Sequence, residues 1–151
     1  MGIYKVLIAD DEAEIRDGMI QRLDWGSLGF TVAASAENGV EALELLEQTK
    51  PDVIMTDIKM PFMDGLEFIE KAVEMLPTVK IIVFSGFDDF EYAQKAIRLN
   101  VEEYLLKPIS SVQMSQSLIK LKKKMDKELE ERRDIDLLRK NYTEKIGRAS
   151  C

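Results

Sequence analysis

Along the first 109 residues, short apolar runs alternate with stretches in which apolar side chains recur every three to four positions. The runs are IYKVLIA (3–9), TVAASA (31–36), DVIMT (52–56), KIIVFS (80–85) and EEYLL (102–106). The first, third and fourth are almost wholly apolar, as strands covered on both faces of a parallel sheet must be. Between them, Ile15, Met19 and Leu23, then Val40, Leu43 and Leu46, then Leu66, Ile69 and Val73, then Ala93, Ala96 and Ile97 each mark one helix face. Turn formers punctuate the units: Asn38-Gly39, Lys50-Pro51, Asp64-Gly65 and Leu76-Pro77. Strand–helix alternation of this kind predicts an α/β domain, an open, doubly wound, five-stranded parallel sheet.

From Ser110 the texture changes. The next 36 residues contain neither Gly nor Pro and are rich in Lys, Glu, Leu and Arg, which predicts one extended C-terminal helix. Val112, Leu118 and Leu121 are expected to pack its first turns on the sheet. Beyond Met125 the apolar positions thin out, and a heptad through Leu118, Leu121, Met125, Ile135 and Tyr142 is interrupted by Glu128 and Arg132. We therefore expect a domain over 1–124 and a helical linker or tail over 125–151. The closing GRASC suggests no function.

Composition narrows the chemistry. With 46% hydrophobic and 32% charged residues the chain reads as a globular protein, and its net charge of -7 disfavours a nucleic-acid-binding surface. It has no histidine and one cysteine, Cys151, so imidazole catalysis, His-ligated zinc and an intrachain disulfide are excluded. No apolar run approaches the ~20 residues of a membrane span, and the N-terminus lacks the basic-then-apolar pattern of a secretory signal; a cytoplasmic location is expected.

Candidate chemistry collects at the strand ends. The first strand delivers Asp10 and Asp11, the third Asp57, the fourth Ser85 and the fifth Lys107. In a parallel sheet all of them open onto one edge, where ligands bind in doubly wound folds. Adjacent carboxylates ~4 Å apart repel by about 4 kcal/mol at an effective dielectric of ~20, so the acid pair needs a counter-charge. Clustered hard oxygens suit Mg²⁺. Asp57 can then serve as a nucleophile that carries a phosphoryl group as an acyl phosphate, with Lys107 and Ser85 facing the transferred oxygens. Taken singly, Asp11 reads instead as the cap of the first helix, Ser85 as a turn former, Lys107 as a surface charge and Tyr104 as core. Their succession at strand ends favours the site.

The acid pair, TDIKMPFMDG around Asp57, Ser85-Gly86, and YLLKP with Tyr104, Lys107 and Pro108 resemble the receiver domain of two-component response regulators. The likeness runs from Ile3 to about Leu121, roughly four fifths of the chain. It implies a flavodoxin-like strand order 2-1-3-4-5 and Asp57 as phosphoacceptor. It further implies Mg²⁺ held by Asp11, Asp57 and the backbone carbonyl of Lys59, with Asp10 acting through water, and Ser85 and Tyr104 as a switch pair. It also implies a sensor histidine kinase as partner, no enzymatic activity beyond the domain's own phosphorylation and dephosphorylation, no membrane contact, and a homodimer as one assembly. LDWGSLGF (23–30) and SGFDDFEYAQKAI (85–97) resemble the subfamily fused to AraC-type DNA-binding domains, which implies transcription regulation through an output domain outside this chain. A cis Lys107–Pro108 bond is expected, since it would aim the ammonium at Asp57. The competing reading, an aspartyl-phosphate phosphohydrolase like the haloacid dehalogenases, requires an acid two residues after the nucleophile; Lys59 stands there. Nucleotide or flavin binding requires a glycine-rich loop, where this chain has ADDEAE.

Overall fold

The structure, a computed structural model, describes residues 3–86 and 90–149; at 90, 92, 93 and 144–149 it describes the backbone only. Five strands, β1 (Tyr4–Ala9), β2 (Phe30–Ala36), β3 (Val53–Asp57), β4 (Lys80–Ser85) and β5 (Glu103–Leu106), pair in parallel in the order β2-β1-β3-β4-β5. The helices are α1 (Ala13–Arg22), α2 (Trp25–Leu28), α3 (Gly39–Thr49), α4 (Gly65–Met75), α5 (Phe90–Arg98) and α6 (Ser111–Ala149). The strand order is the one implied by the resemblance. The expected Ala93 side chain and residues 87–89 of the SGFDDFEYAQKAI stretch lie outside the described set.

Alternation along the strands divides the interior in two. Val6, Ile8, Met55, Ile82 and Phe84 face α1 and α6, whereas Leu7, Ala9, Ile54, Ile81 and Val83 face α3, α4 and α5. β1 and β3 are therefore buried on both sides, and their sequences are apolar throughout for that reason. Asn38 and Asp64 start α3 and α4 by accepting hydrogen bonds from Glu41 N–H and Glu67 N–H at 2.8 and 2.9 Å.

Several expected faces shift. Leu46 is buried as expected, but Val40, Val73 and Ile97 are exposed, and Ala42, Phe68 and Ala72 fill the core in their place. On α6, Val112 is 66% exposed, while Met114, Leu118, Leu121 and Met125 are buried, about 2 kcal/mol for each fully buried leucine. The short α2 went unexpected; its start is set by Asp24, whose carboxylate accepts from Ser27 Oγ at 2.6 Å.

Beyond its buried turns α6 is tied to the start of the strands. Tyr4 Oη donates to Asp126 Oδ1 at 2.7 Å, and Lys80 Nζ lies 3.0 Å from Glu128 Oε2. Burial and then the Asp126 carboxylate push the Tyr4 hydroxyl up to about 12. The helix is continuous through Ala149, and Ile135, Leu138 and Tyr142 on its distal half are exposed.

Candidate functional site

Sheet order reverses between β1 and β3, so the crevice at their carboxyl ends is flanked by Asp10 on one side and Asp57 on the other. β1 carries Asp10 to the edge, fully buried, with its N–H bonded to Ala36 O at 3.0 Å. Its Oδ1 accepts from Glu12 N–H at 2.9 Å, and Arg16 donates to its carbonyl at 2.6 Å. Asp57 closes β3 with Oδ1 accepting from Ile58 N–H at 2.8 Å. These backbone contacts fix which oxygen of each carboxylate faces the crevice.

Lys107 leaves β5 just after Leu106, its N–H bonded to Ser85 O at 2.8 Å, and the Lys107–Pro108 bond is cis, as expected. Its ammonium sits 3.0 Å from Asp57 Oδ2, 3.1 Å from Asp10 Oδ2 and 3.5 Å from Glu12 Oε1. One cation thus serves three carboxylates. Asp10 Oδ2, buried, has this ion pair but no hydrogen bond of good geometry among the described residues.

The charges show the imbalance. Burial, followed by the neighbouring Asp10, pushes the Asp57 carboxyl up to about 6, against the pull of Lys107. Burial likewise raises Asp10, with the Glu12 N–H and Lys107 opposing it. Desolvation draws Lys107 down, but Asp10 and Asp57 outweigh it and its ammonium is held above the ordinary lysine range. An oxygen-seeking divalent cation fits this donor set: carboxylate oxygens of Asp10, Asp11, Glu12 and Asp57 lie within 4.8 Å of one another, and one buried oxygen is left without a hydrogen bond.

Asp11 is exposed at the mouth of the crevice and does not cap α1: the residue in the cap position is Glu12, without a side-chain hydrogen bond. The turn there is made by Asp10. Ser85, fully buried at the end of β4, is hydrogen-bonded to the Tyr104 hydroxyl of β5. Lys59 follows Asp57 in the β3–α4 loop with its side chain exposed. All the residues expected at the site therefore share one edge. Glu12 and Arg16 were missed, although Glu12 directly follows the acid pair, and that adjacency was its only signal.

Residues 6–119 match the response regulator receiver domain family. The chain is 47% identical over 116 residues to the uncharacterized transcriptional regulatory protein YesN of Bacillus subtilis, covering 77% of this chain and 32% of that protein. It is 38% identical over 112 residues to the transcriptional regulatory protein HptR of Staphylococcus aureus, covering 74% and 44%. It thus spans less than half the length of these curated relatives. Among solved structures it resembles the REC domain of AraT, a response regulator from Geobacillus stearothermophilus, with TM-score 0.81, 46% identity and coverage of 84% of this chain and 98% of that one. A two component transcriptional regulator AraC from Clostridium phytofermentans gives TM-score 0.72 at 33% identity, covering 78% and 91%.

Proposed function

Because the chain belongs to the response regulator receiver family, we propose that it is a phosphorylation-dependent switch in which Asp57 takes a phosphoryl group from a partner sensor histidine kinase. The observation that carries this reading is the convergence of Asp10, Asp57 and Lys107, remote in sequence, within 3.1 Å of one ammonium nitrogen. Burial and the neighbouring Asp10 push the Asp57 carboxyl up to about 6 in the metal-free chain, so its carboxylate is more basic than an exposed aspartate's, which favours it as a nucleophile. A carboxylate oxygen attacks phosphorus, the donor's P–N bond breaks, and the electron pair leaves with the imidazole, which takes up a proton. Lys107 leaves its ion pair with the Asp57 carboxylate for the new phosphoryl oxygens. Mg²⁺, held by Asp11, Asp57 and the Lys59 carbonyl with Asp10 behind a water, would supply further positive charge opposite those oxygens.

Ser85 and Tyr104 would read the modification. A phosphoryl oxygen that drew in the Ser85 hydroxyl would take it from Tyr104, releasing the ring and remodelling the surface of α5 and β5. The groove of about 560 Å³ between α1 and the β5–α6 connection, lined by Ile15, Met19, Leu23, Pro108 and Met114 and bordered by Lys107, is where the kinase would sit.

We take 1–124 as the receiver and 125–151, of which residues 150 and 151 lie outside the described residues, as the linker to an AraC-type, DNA-binding output domain, the transcriptional role carried by relatives longer than this chain. In this reading the protein is cytoplasmic, makes no membrane contact, and catalyses only its own phosphorylation and dephosphorylation. Among the described residues no helix is long and apolar enough to cross a membrane. A homodimer would cover Ile135, Leu138 and Tyr142 of α6. The test is incubation with acetyl phosphate and Mg²⁺ followed by removal of the donor: the proposal expects up to one acid-labile phosphoryl group per chain that is still bound after desalting, whereas a chain that retains no label while hydrolysing a phosphomonoester would indicate a hydrolase.

A further inference from the structure

Among the described residues, three other than glycine have positive φ: Lys50, Asn100 and Phe62. Lys50 ends α3 in the left-handed cap position, and Asn100 is a residue type that tolerates this region. Phe62, at φ 68, is neither. It is the central residue of a three-residue turn closed by Met63 N–H to Pro61 O at 2.8 Å, a rare and strained form for a bulky side chain. Its ring is 87% exposed, the most exposed large apolar side chain among the described residues. A single exposed phenylalanine is commonplace. One whose backbone is also strained receives nothing in return within the fold.

Backbone hydrogen bonds and close glycine approaches tie down the loop that holds it. Gly65 N–H bonds Ile58 O at 2.6 Å, closing the loop on the residue after Asp57, and Gly39 N–H bonds Met63 O at 3.2 Å. A Cβ at Gly65 would come within 2.0 Å of Asp57 O, and one at Gly39 within 2.2 Å of Met63 O, so both approaches are as close as glycine allows. Asp64 in turn caps α4. Phe62 is therefore an exposed ring presented by a backbone-tethered loop that starts at the phosphoacceptor Asp57.

We propose that Phe62 is a docking residue for the phosphoryl-donating protein, its ring entering an apolar recess beside the donor's phosphohistidine. The proposal rests on Asp57 being the phosphoacceptor. The 151 residues hold no histidine, so the phosphoryl donor lies outside them, and a protein donor must cover the crevice and the adjoining β3–α4 loop to bring phosphorus to Asp57. A second copy seated on Phe62 would obstruct that approach.

The experiment compares wild type, Phe62→Asn and Phe62→Trp. Acetyl phosphate with Mg²⁺ is the small donor; the protein donor is the sensor histidine kinase, charged with ATP, that labels wild type fastest in a panel. Asn accepts positive φ, so Phe62→Asn is expected to melt higher than wild type and to label equally with acetyl phosphate. Its kcat/KM with the kinase should fall about tenfold or more, mainly through KM, with Phe62→Trp close to wild type. The proposal is overturned if Phe62→Asn accepts phosphate from the kinase as wild type does, or if acetyl phosphate labelling falls in parallel. It is also overturned if the variant's change is loss of a wild-type dimer in sedimentation velocity with kinase transfer intact. Wild type that labels at a residue other than Asp57 removes the premise and the proposal with it; wild type labelled on Asp57 with an unaffected variant removes the proposal alone.

Discussion

Replacing Asp57 by Asn should stabilise the metal-free protein, and only where the carboxylate is charged. The Asp57 carboxyl is raised from 3.8 to about 6, so between those values the folded chain binds a proton that the unfolded chain does not. The slope of stability with pH is then negative: stability falls as pH rises from about 4 to 6 and stays at the lower level above it. About two pH units at about 1.36 kcal/mol each is ~3 kcal/mol. Relaxation around the site and water entry reduce this to ~1–3 kcal/mol. Asn keeps the shape, can still accept from Ile58 N–H, and removes the charge that faces Asp10. For a domain of this size the gain corresponds to roughly 4–10 °C in Tm. The assay is thermal unfolding by circular dichroism in EDTA at pH 7.5 and pH 4. The variant should melt higher at pH 7.5 and level with wild type at pH 4. Equal or lower Tm at pH 7.5, or a gain that persists at pH 4, would refute the argument that buried, like-charged carboxylates strain this site.

Mg²⁺ should stabilise wild type at fixed ionic strength by ~1.4 kcal/mol at about ten times its dissociation constant, read as a higher Tm, and Asp11→Ala should erase that gain; equal shifts in the two proteins would remove Asp11 from the metal site. Lys107→Ala should cost roughly 3 kcal/mol in EDTA by leaving Asp10 and Asp57 buried without their cation, and Mg²⁺ should restore more stability to this variant than to wild type. A loss below ~1 kcal/mol in urea unfolding would mean that the ammonium does not balance the pair.

The sheet was legible because β1, β3 and β4 are buried on both faces and so carry no polar alternation to confuse with a helix. The outer helices were read less well. The longer helices have an apolar stripe, but Val40, Val73, Ile97 and Val112 fall outside its buried part, and only the packing distance decides which neighbours reach the core; small Ala42 and Ala72 take those places. The four-residue α2 has too few positions to show a period, and its signal was the Asp24–Ser27 cap alone. At the site, Asp10, Asp57, Ser85 and Lys107 were legible because strand ends in a parallel sheet share an edge. Glu12 and Arg16 were not, since their approach depends on how the β1–α1 turn folds, and that turn is built by Asp10 accepting from Glu12 N–H. The same bond explains why Asp11, free of a capping role, is left facing the crevice. The strain at Phe62 was invisible because the sequence does not state φ.

The central claim, that Asp57 is the residue that takes the phosphoryl group, is tested most directly by labelling the chain with acetyl phosphate and Mg²⁺, reducing the acyl phosphate with borohydride, and mapping the resulting homoserine by peptide mass spectrometry. The account predicts a single homoserine, at position 57, and none in Asp57→Asn. Homoserine at Asp10, Asp11 or another acid, or undiminished labelling of Asp57→Asn, would contradict it.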